Sequence, residues 1–129
     1  MTLLIDFSKA FDSVAHLKLV NKLKQYGLSH SIITCIVSFL TDRSQYTKVG
    51  GNISRLQFIN CFIIQGSGIG PCLFIIMILN LKARAVTIHM AKYADDATLL
   101  VPDLTSLSIE EEFRCVQKWA CDNKLSISL

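Results

Sequence analysis

The sequence predicts an α+β domain in which a small antiparallel sheet is backed by helices. Three observations predict it. The apolar run Thr2-Leu3-Leu4-Ile5-Asp6 ends in an acid and reads as a buried strand near the start. Two β-prone runs, Val86 to Tyr93 and Ala97 to Val101, flank the adjacent acids Asp95 and Asp96 and read as a hairpin with the acids at its tip. The stretches between and beyond these runs carry helical periodicity.

Taken in order, Phe7 to Val14 reads as a turn, with Asp12 or Ser13 available to cap the next helix. Leu17, Val20, Leu23 and Leu19 suit a helix from about Val14 to Tyr26, closed by Gly27. Lys18, Lys22 and Lys24 are expected on its solvated faces. A second helix starts near Ser29 and runs to Leu40; it is apolar nearly all round, which predicts packing on two sides. Arg43 to Val49 and Ile53 to Ile59, joined by Gly50-Gly51-Asn52, read as a β-hairpin. Gln65-Gly66-Ser67-Gly68-Ile69-Gly70-Pro71 is a glycine-rich loop, and Pro71 suits the first residue of a buried helix over Cys72 to Leu81. Its spacing matches neither the P-loop nor the dinucleotide fingerprint. Ser108-x-x-Glu111 is a capping box with glutamates near the helix N-terminus. Ile109, Phe113, Val116 and Ala120 form that helix's apolar stripe, Asn123 stops it, and Leu125 to Leu129 reads as extended.

Length and composition bound the class. At 129 residues the chain is one domain or part of one. Its hydrophobic fraction is 51% and its mean hydropathy +0.43. The longest unbroken apolar run, Cys72 to Leu79, is far short of the roughly 20 residues that span a bilayer. No membrane partner and no signal peptide are expected, and the predicted setting is intracellular. Cys35, Cys61, Cys72, Cys115 and Cys121 contain no C-x-x-C and are expected as reduced, buried thiols. Residues 1–92 hold ten basic groups against three acids, whereas residues 93–129 hold three against seven. A basic body with an acidic end is compatible with a polyanion partner.

Asp95 and Asp96 carry the chemistry that stands out. Successive residues of a strand face opposite ways, so a tight turn is the simplest means of presenting both on one side. Two anions held together repel, and hard carboxylate oxygens suit Mg²⁺ or Mn²⁺. A solvated Asp-Asp turn is the bland alternative for that stretch alone. An acid at the end of one strand, a glycine loop before a buried helix and an Asp-Asp hairpin together form a more specific constellation.

In these blocks the sequence resembles the palm of a reverse transcriptase of the non-LTR (LINE-like) retrotransposon type. Leu4-Ile5-Asp6-Phe7-Ser8-Lys9-Ala10-Phe11-Asp12-Ser13-Val14 resembles the first palm block, Gln65 to Pro71 with Leu73-Phe74 the second, and Tyr93-Ala94-Asp95-Asp96 the signature box. Leu40 to Gln45 and Trp119 to Leu125 resemble further segments. The resemblance implies a polymerase palm and RNA-directed DNA polymerase activity. It implies that Asp6 and Asp95 bind two catalytic Mg²⁺ or Mn²⁺ ions, with the backbone of Phe7 as a further metal contact and Asp96 as the supporting acid. It implies that Phe11 is the aromatic gate against a 2′-hydroxyl, and that Gln65 and Gly66 line the incoming nucleotide and template. The implied partners are an RNA template, a DNA primer and a deoxynucleoside triphosphate. Family members also carry fingers and thumb segments, so the chain is expected to be a palm fragment, weak or inactive alone. Asp12 matches a family aspartate, but a capping role is as good a reading.

The sequence departs from the family pattern where Phe62-Ile63-Ile64 replaces a Gly-Val-Pro-like run, at Gly68, and at Leu79-Asn80. These departures spare the three acids. They favour the rival reading, a retroelement relic that acts as a binding module or has no function. A cyclase with the same two-metal logic is a third reading, disfavoured by Gln65-Gly66-Ser67.

Overall fold

A computed structural model describes residues 1–103 and 108–128. Its four-stranded sheet has the order β6 (His89–Tyr93), β7 (Asp96–Leu100), β1 (Thr2–Ser8), β8 (Ser126–Ser128), with every neighbouring pair antiparallel. Strand β1 lies inside the sheet. It extends past Asp6 to Ser8 because Asp6, Phe7 and Ser8 pair with Ser128, Ile127 and Ser126. The extended run expected near the end of the chain thus lengthens the first strand; Leu129 lies outside the described residues.

Strand alternation divides the sheet into two faces. Ile5, Phe7, Ala97 and Leu99 are buried and join one cluster with Leu19, Leu23, Phe74, Met77 and Val116 from the helices. Helices α2 (His16–Gln25), α4 (Gly70–Ile78) and α5 (Ile109–Asp122) supply those side chains, and α3 (His30–Leu40) adds Ile33, Ile36 and Leu40. The opposite face is open: Leu4, Asp6, Tyr93, Asp96 and Leu100 are exposed.

Several expectations are corrected. Neither Asp12 nor Ser13 caps α2; Ala15 holds that position without a side-chain bond. Ser13 instead lies in a one-turn helix, α1 (Ala10–Ser13), where its hydroxyl donates to Lys9 O at 3.0 Å. Helix α3 packs on one side only, with Ile32 half exposed. Helix α4 is likewise covered on one side and leaves Cys72, Ile75 and Leu79 exposed. The cysteines are free but not buried: Cys35, Cys61, Cys72 and Cys121 are exposed and Cys115 is half-buried. Each takes the outward register of its segment, while the neighbouring Ile36, Leu73 and Ala120 take the inward one.

Lys22 is the clearest correction. It is only 5% exposed rather than solvated. It falls on the same stripe as Leu19 and Leu23, where i,i+3 and i,i+4 spacing sets neighbours. Its ammonium donates to Met77 O and to Asn80 Oδ1, the latter at 2.7 Å, and lies 4.8 Å from the Trp119 ring centroid. Lys92 Nζ donates to Ile78 O, Leu79 O and Leu81 O at 3.0, 3.2 and 2.8 Å. Two ammoniums therefore cap the carbonyl end of α4, where the helix dipole favours positive charge.

Burial and the neighbouring Lys18 and Lys92 lower the Lys22 pKa to about 8 from 10.5. The folded chain then binds fewer protons than the unfolded chain between those pH values, so this group makes stability rise with pH across that window. Lys22→Met is expected to flatten the rise of Tm between pH 8 and 10 relative to the parent. Parallel Tm profiles for the two proteins would refute the assignment.

The arm predicted after α3 forms in two steps. β2 (Arg43–Gln45) pairs with β5 (Gln57–Ile59), and β3 (Lys48–Val49) pairs with β4 (Asn52–Ile53) around Gly50-Gly51. The capping box of α5 is present in both directions, and Asn123 caps its far end. Strand β6 begins at His89 rather than Val86, which is 98% exposed. Just before it, the N–H groups of Arg84 and Ala85 donate to Glu112 at 3.0 and 2.9 Å, holding that segment off the sheet.

Candidate active site

The register of the sheet places the acids. Asp6 stands directly opposite Asp96 in the β1–β7 ladder, so both side chains leave the sheet on its open face. Asp95 occupies the two-residue turn with Ala94, whose φ is +50°. The acids are therefore not both at the tip: Asp96 is already the first residue of β7. The turn is tied back to the central strand, since Phe7 N–H donates to Asp95 O at 3.2 Å. The Phe7 ring is buried against Trp119, with ring centroids 6.1 Å apart, so only main-chain atoms of Phe7 could reach a ligand on the open face.

A cleft of about 490 Å³ brings four of the sequence-predicted residues together: Phe11, Gln65, Gly66 and Asp95. Asp6 and Asp96 lie outside its walls. The Phe11 ring is fixed by stacking on Phe74 at 4.9 Å. Gly66 has φ +80°, which suits a residue without Cβ. Ser67 organises the loop: its hydroxyl donates to Ile64 O at 2.7 Å and accepts from Gly70 N–H at 3.1 Å. A Cβ on Gly70 would stand 2.9 Å from that same oxygen, so the loop closes only on glycine there.

Asp12, set aside from the metal set, accepts a hydrogen bond from Gln65 Nε2 at 3.1 Å. It thereby orients a cleft side chain, across a sequence separation that no local pattern reports. The sequence reads Lys22 as solvated and gives Lys92 and Glu112 no role at the site; for Lys22 the helical spacing with Leu19 and Leu23 holds the contrary signal.

The segment before Gln65 keeps an unusual backbone. Phe62 has φ +150°, a conformation that residues with Cβ rarely adopt. It is held from both sides: His16 Nε2 donates to Phe62 O at 2.8 Å, and Ile63 N–H donates to Phe11 O at 2.7 Å. Ile63 itself is fully buried. A glycine at position 62 would take this backbone without strain. Phe62→Gly is thus expected to stabilise the fold by about 1 kcal/mol, the relief of strain exceeding the added chain entropy. Thermal melting tests this, and a lowered Tm would show that Phe62 contributes more by packing than it costs in strain.

The donor set suits a hard divalent cation. Asp6, Asp95 and Asp96 offer carboxylate oxygens, and no cationic side chain pairs with them among the described residues. Asp6 and Asp96 face one another as like charges, an arrangement that is unfavourable without a counter-ion. No three His, Cys, Asp or Glu side chains converge at metal-binding distance among the described residues.

A small antiparallel sheet with helices on one face, and acids where its central strand meets a hairpin turn on the other, defines a palm-type α+β domain. The family profile described as "Reverse transcriptase (RNA-dependent DNA polymerase)" matches residues 1–129. The chain belongs to the reverse transcriptase family. It is 30% identical over 135 residues to the "RNA-directed DNA polymerase from mobile element jockey" of Drosophila funebris, a match covering 96% of this chain and 15% of that protein. It is 29% identical over 108 residues to the "Retrovirus-related Pol polyprotein from type-1 retrotransposable element R2" of Popillia japonica, covering 74% of this chain and 18% of that protein. The chain thus spans less than a fifth of the length of these relatives. Membership of the family implies dependence on a divalent metal. Among the described residues no helix is long and apolar enough to cross a membrane.

Proposed function

We propose that this chain is the metal-binding core of an RNA-directed DNA polymerase that adds deoxynucleotides to a primer 3′-hydroxyl on an RNA template. The observation that carries the reading is the cleft in which Asp95, Phe11, Gln65 and Gly66 meet, with the Asp95 turn bonded to the strand that bears Asp6. Asp6 and Asp95 would hold two Mg²⁺ or Mn²⁺ ions with the Phe7 carbonyl, and Asp96 would support them. Such ions supply activation of the primer hydroxyl and neutralisation of the leaving pyrophosphate. The chain's own residues bind and orient. Phe11, braced by Phe74, stands as a steric wall at the sugar and disfavours a 2′-hydroxyl. Gln65, steadied by Asp12, and the backbone of Gly66 line the nucleotide and its template partner. Positioning and charge stabilisation account for most of such a phosphoryl transfer.

On its own the chain is proposed to extend primers weakly or not at all. The open sheet face around the acids carries Thr2, Leu4, Asp6, Ser8, His89, Ala91, Tyr93, Asp96, Thr98 and Leu100, with no lysine or arginine. Affinity for a duplex rests largely on cations against phosphates, and this face supplies none. The missing grip is assigned to fingers and thumb segments of a longer parent.

Mn²⁺ titration followed by paramagnetic broadening of the Asp6, Asp95 and Asp96 signals, with and without a deoxynucleoside triphosphate, tests the reading. Broadening confined to these residues and strengthened by the nucleotide is expected. Absence of any metal response would leave the second reading, a binding module without catalysis, which the strained Phe62 beside the cleft favours.

A further inference from the structure

The arm between α3 and the glycine loop lies outside the cleft lined by Asp95. Every residue from Thr41 to Phe58 is exposed, and none joins the hydrophobic core. Two-stranded ribbons are marginal in water by themselves. This one nevertheless presents Tyr46, Val49, Ile53, Leu56 and Phe58 to solvent, Phe58 being 84% exposed. Its charge is one-sided, with Arg43, Lys48 and Arg55 against the single acid Asp42. No ion pair neutralises these cations among the described residues.

The root of the arm is built rather than loose. Arg43 Nε donates to Phe39 O at 2.8 Å, and its guanidinium lies 5.3 Å from the Phe39 ring centroid. That bracing leaves its two terminal amino groups without a protein acceptor among the described residues. Beside it lies a cleft of about 290 Å³ walled by His16, Arg43, Phe58 and Asn60 together with Thr41, Ile59 and the acid Asp42, so the cleft itself suits a base edge and ring while phosphates fall to the cations along the arm. An exposed aromatic face, a fixed guanidinium and an amide thus converge in one concave site.

We propose that the arm, residues 43–60, is a binding surface for single-stranded nucleic acid. A base stacks on Phe58 in the root cleft, and phosphates meet Arg43, Lys48 and Arg55. Aromatic stacking combined with a track of cations holds single strands with little sequence preference. A polypeptide partner would need an acid matched to each of three separated cations as well as a surface for Phe58, whereas the repeating phosphates and bases of a single strand supply both. The proposal rests on the reading that the chain handles nucleic acid, and it places that contact away from the acidic sheet face.

The test is fluorescence anisotropy with labelled RNA and DNA single strands of about 12 nucleotides, read across a salt series. Phe58→Ala is expected to weaken binding about tenfold or more. Lys48→Gln with Arg55→Gln is expected to reduce the slope of log K against log salt by about 1.4. A comparable loss with both probes indicates recognition of base and phosphate, whereas a loss with RNA alone indicates use of the 2′-hydroxyl as well. Wild-type affinity in both variants, or binding indifferent to salt, overturns the proposal. The Mn²⁺ response is measured on the same samples. If it persists while no oligonucleotide binds, the arm assignment fails and the catalytic reading stands. If oligonucleotide binding is lost in the variants while the metal response is absent throughout, the arm assignment stands and the catalytic reading fails.

Discussion

Asp95→Asn is expected to abolish metal-stimulated nucleotide binding and to lower any primer extension by the chain about 100-fold or more. The side chain lines the cleft with Phe11, Gln65 and Gly66. Asparagine keeps its size and its place in the turn but removes the charge on which a hard cation depends. Losing one preorganised electrostatic contact to a transition state typically costs two to three decades, so about 100- to 1000-fold is the scale. Asp6→Asn is expected to match it, since Asp6 projects from the central strand on the same side as Asp96. Both Asp6→Asn and Asp96→Asn are further expected to raise metal-free stability slightly, because each ends the direct opposition of two anions across the ladder. Loss of metal binding together with a small gain in Tm would identify the acids as retained for function at a cost to the fold. Unchanged Mn²⁺ affinity in Asp95→Asn would remove this residue from the metal site.

Glu112→Ala is expected to cause the largest loss of stability among single polar substitutions, about 3–5 kcal/mol. Glu112 is fully buried in α5, and its two oxygens accept the N–H groups of Arg84 and Ala85. Hydrogen bonds to a charged acceptor contribute about 1.5–3 kcal/mol each, and alanine would leave both donors unmet in a site closed to water. The segment they hold leads from α4 into β6, the strand that ends at the Asp95 turn. Domains of this size have total stabilities of only about 5–15 kcal/mol, so the substitution consumes a large share. Glu112→Gln keeps one acceptor oxygen and should cost clearly less. Denaturant unfolding of the two variants gives the comparison. Equal midpoints for Glu112→Ala and the parent would mean that the 84–85 segment finds other partners.

Much of the site was legible as local pattern. Asp6 follows an apolar strand, Gly66 to Pro71 announces a loop before a helix, and Asp95-Asp96 interrupts two β-prone runs. Each signal lies within a few residues, where alternation, turn chemistry and capping act. The sheet order was not legible in this way, since pairing of Asp6 with both Asp96 and Ser128 depends on segments about a hundred residues apart. The Asp12–Gln65 bond is illegible for a similar reason, since 53 residues separate its partners.

The family is read from the resemblance of whole motif blocks, whereas local pattern gives the α+β class, the hairpin that carries the acids, the glycine loop and its helix, and the capping box of α5. These follow from short-range sterics and hydrogen bonding, which a contiguous stretch contains in full. Which polar groups become buried is settled by packing between elements. Lys22 and Glu112 look like solvated helix charges in sequence. Packing of α4 and of the 84–85 segment against them converts both into anchors for main-chain groups that would otherwise lack partners. The structure likewise decided that the cysteines face outward and that Asp96 belongs to a strand rather than a turn. One cause underlies all of these. Composition sets how much apolar surface must be covered, but only the assembled layers fix which side of each element does the covering.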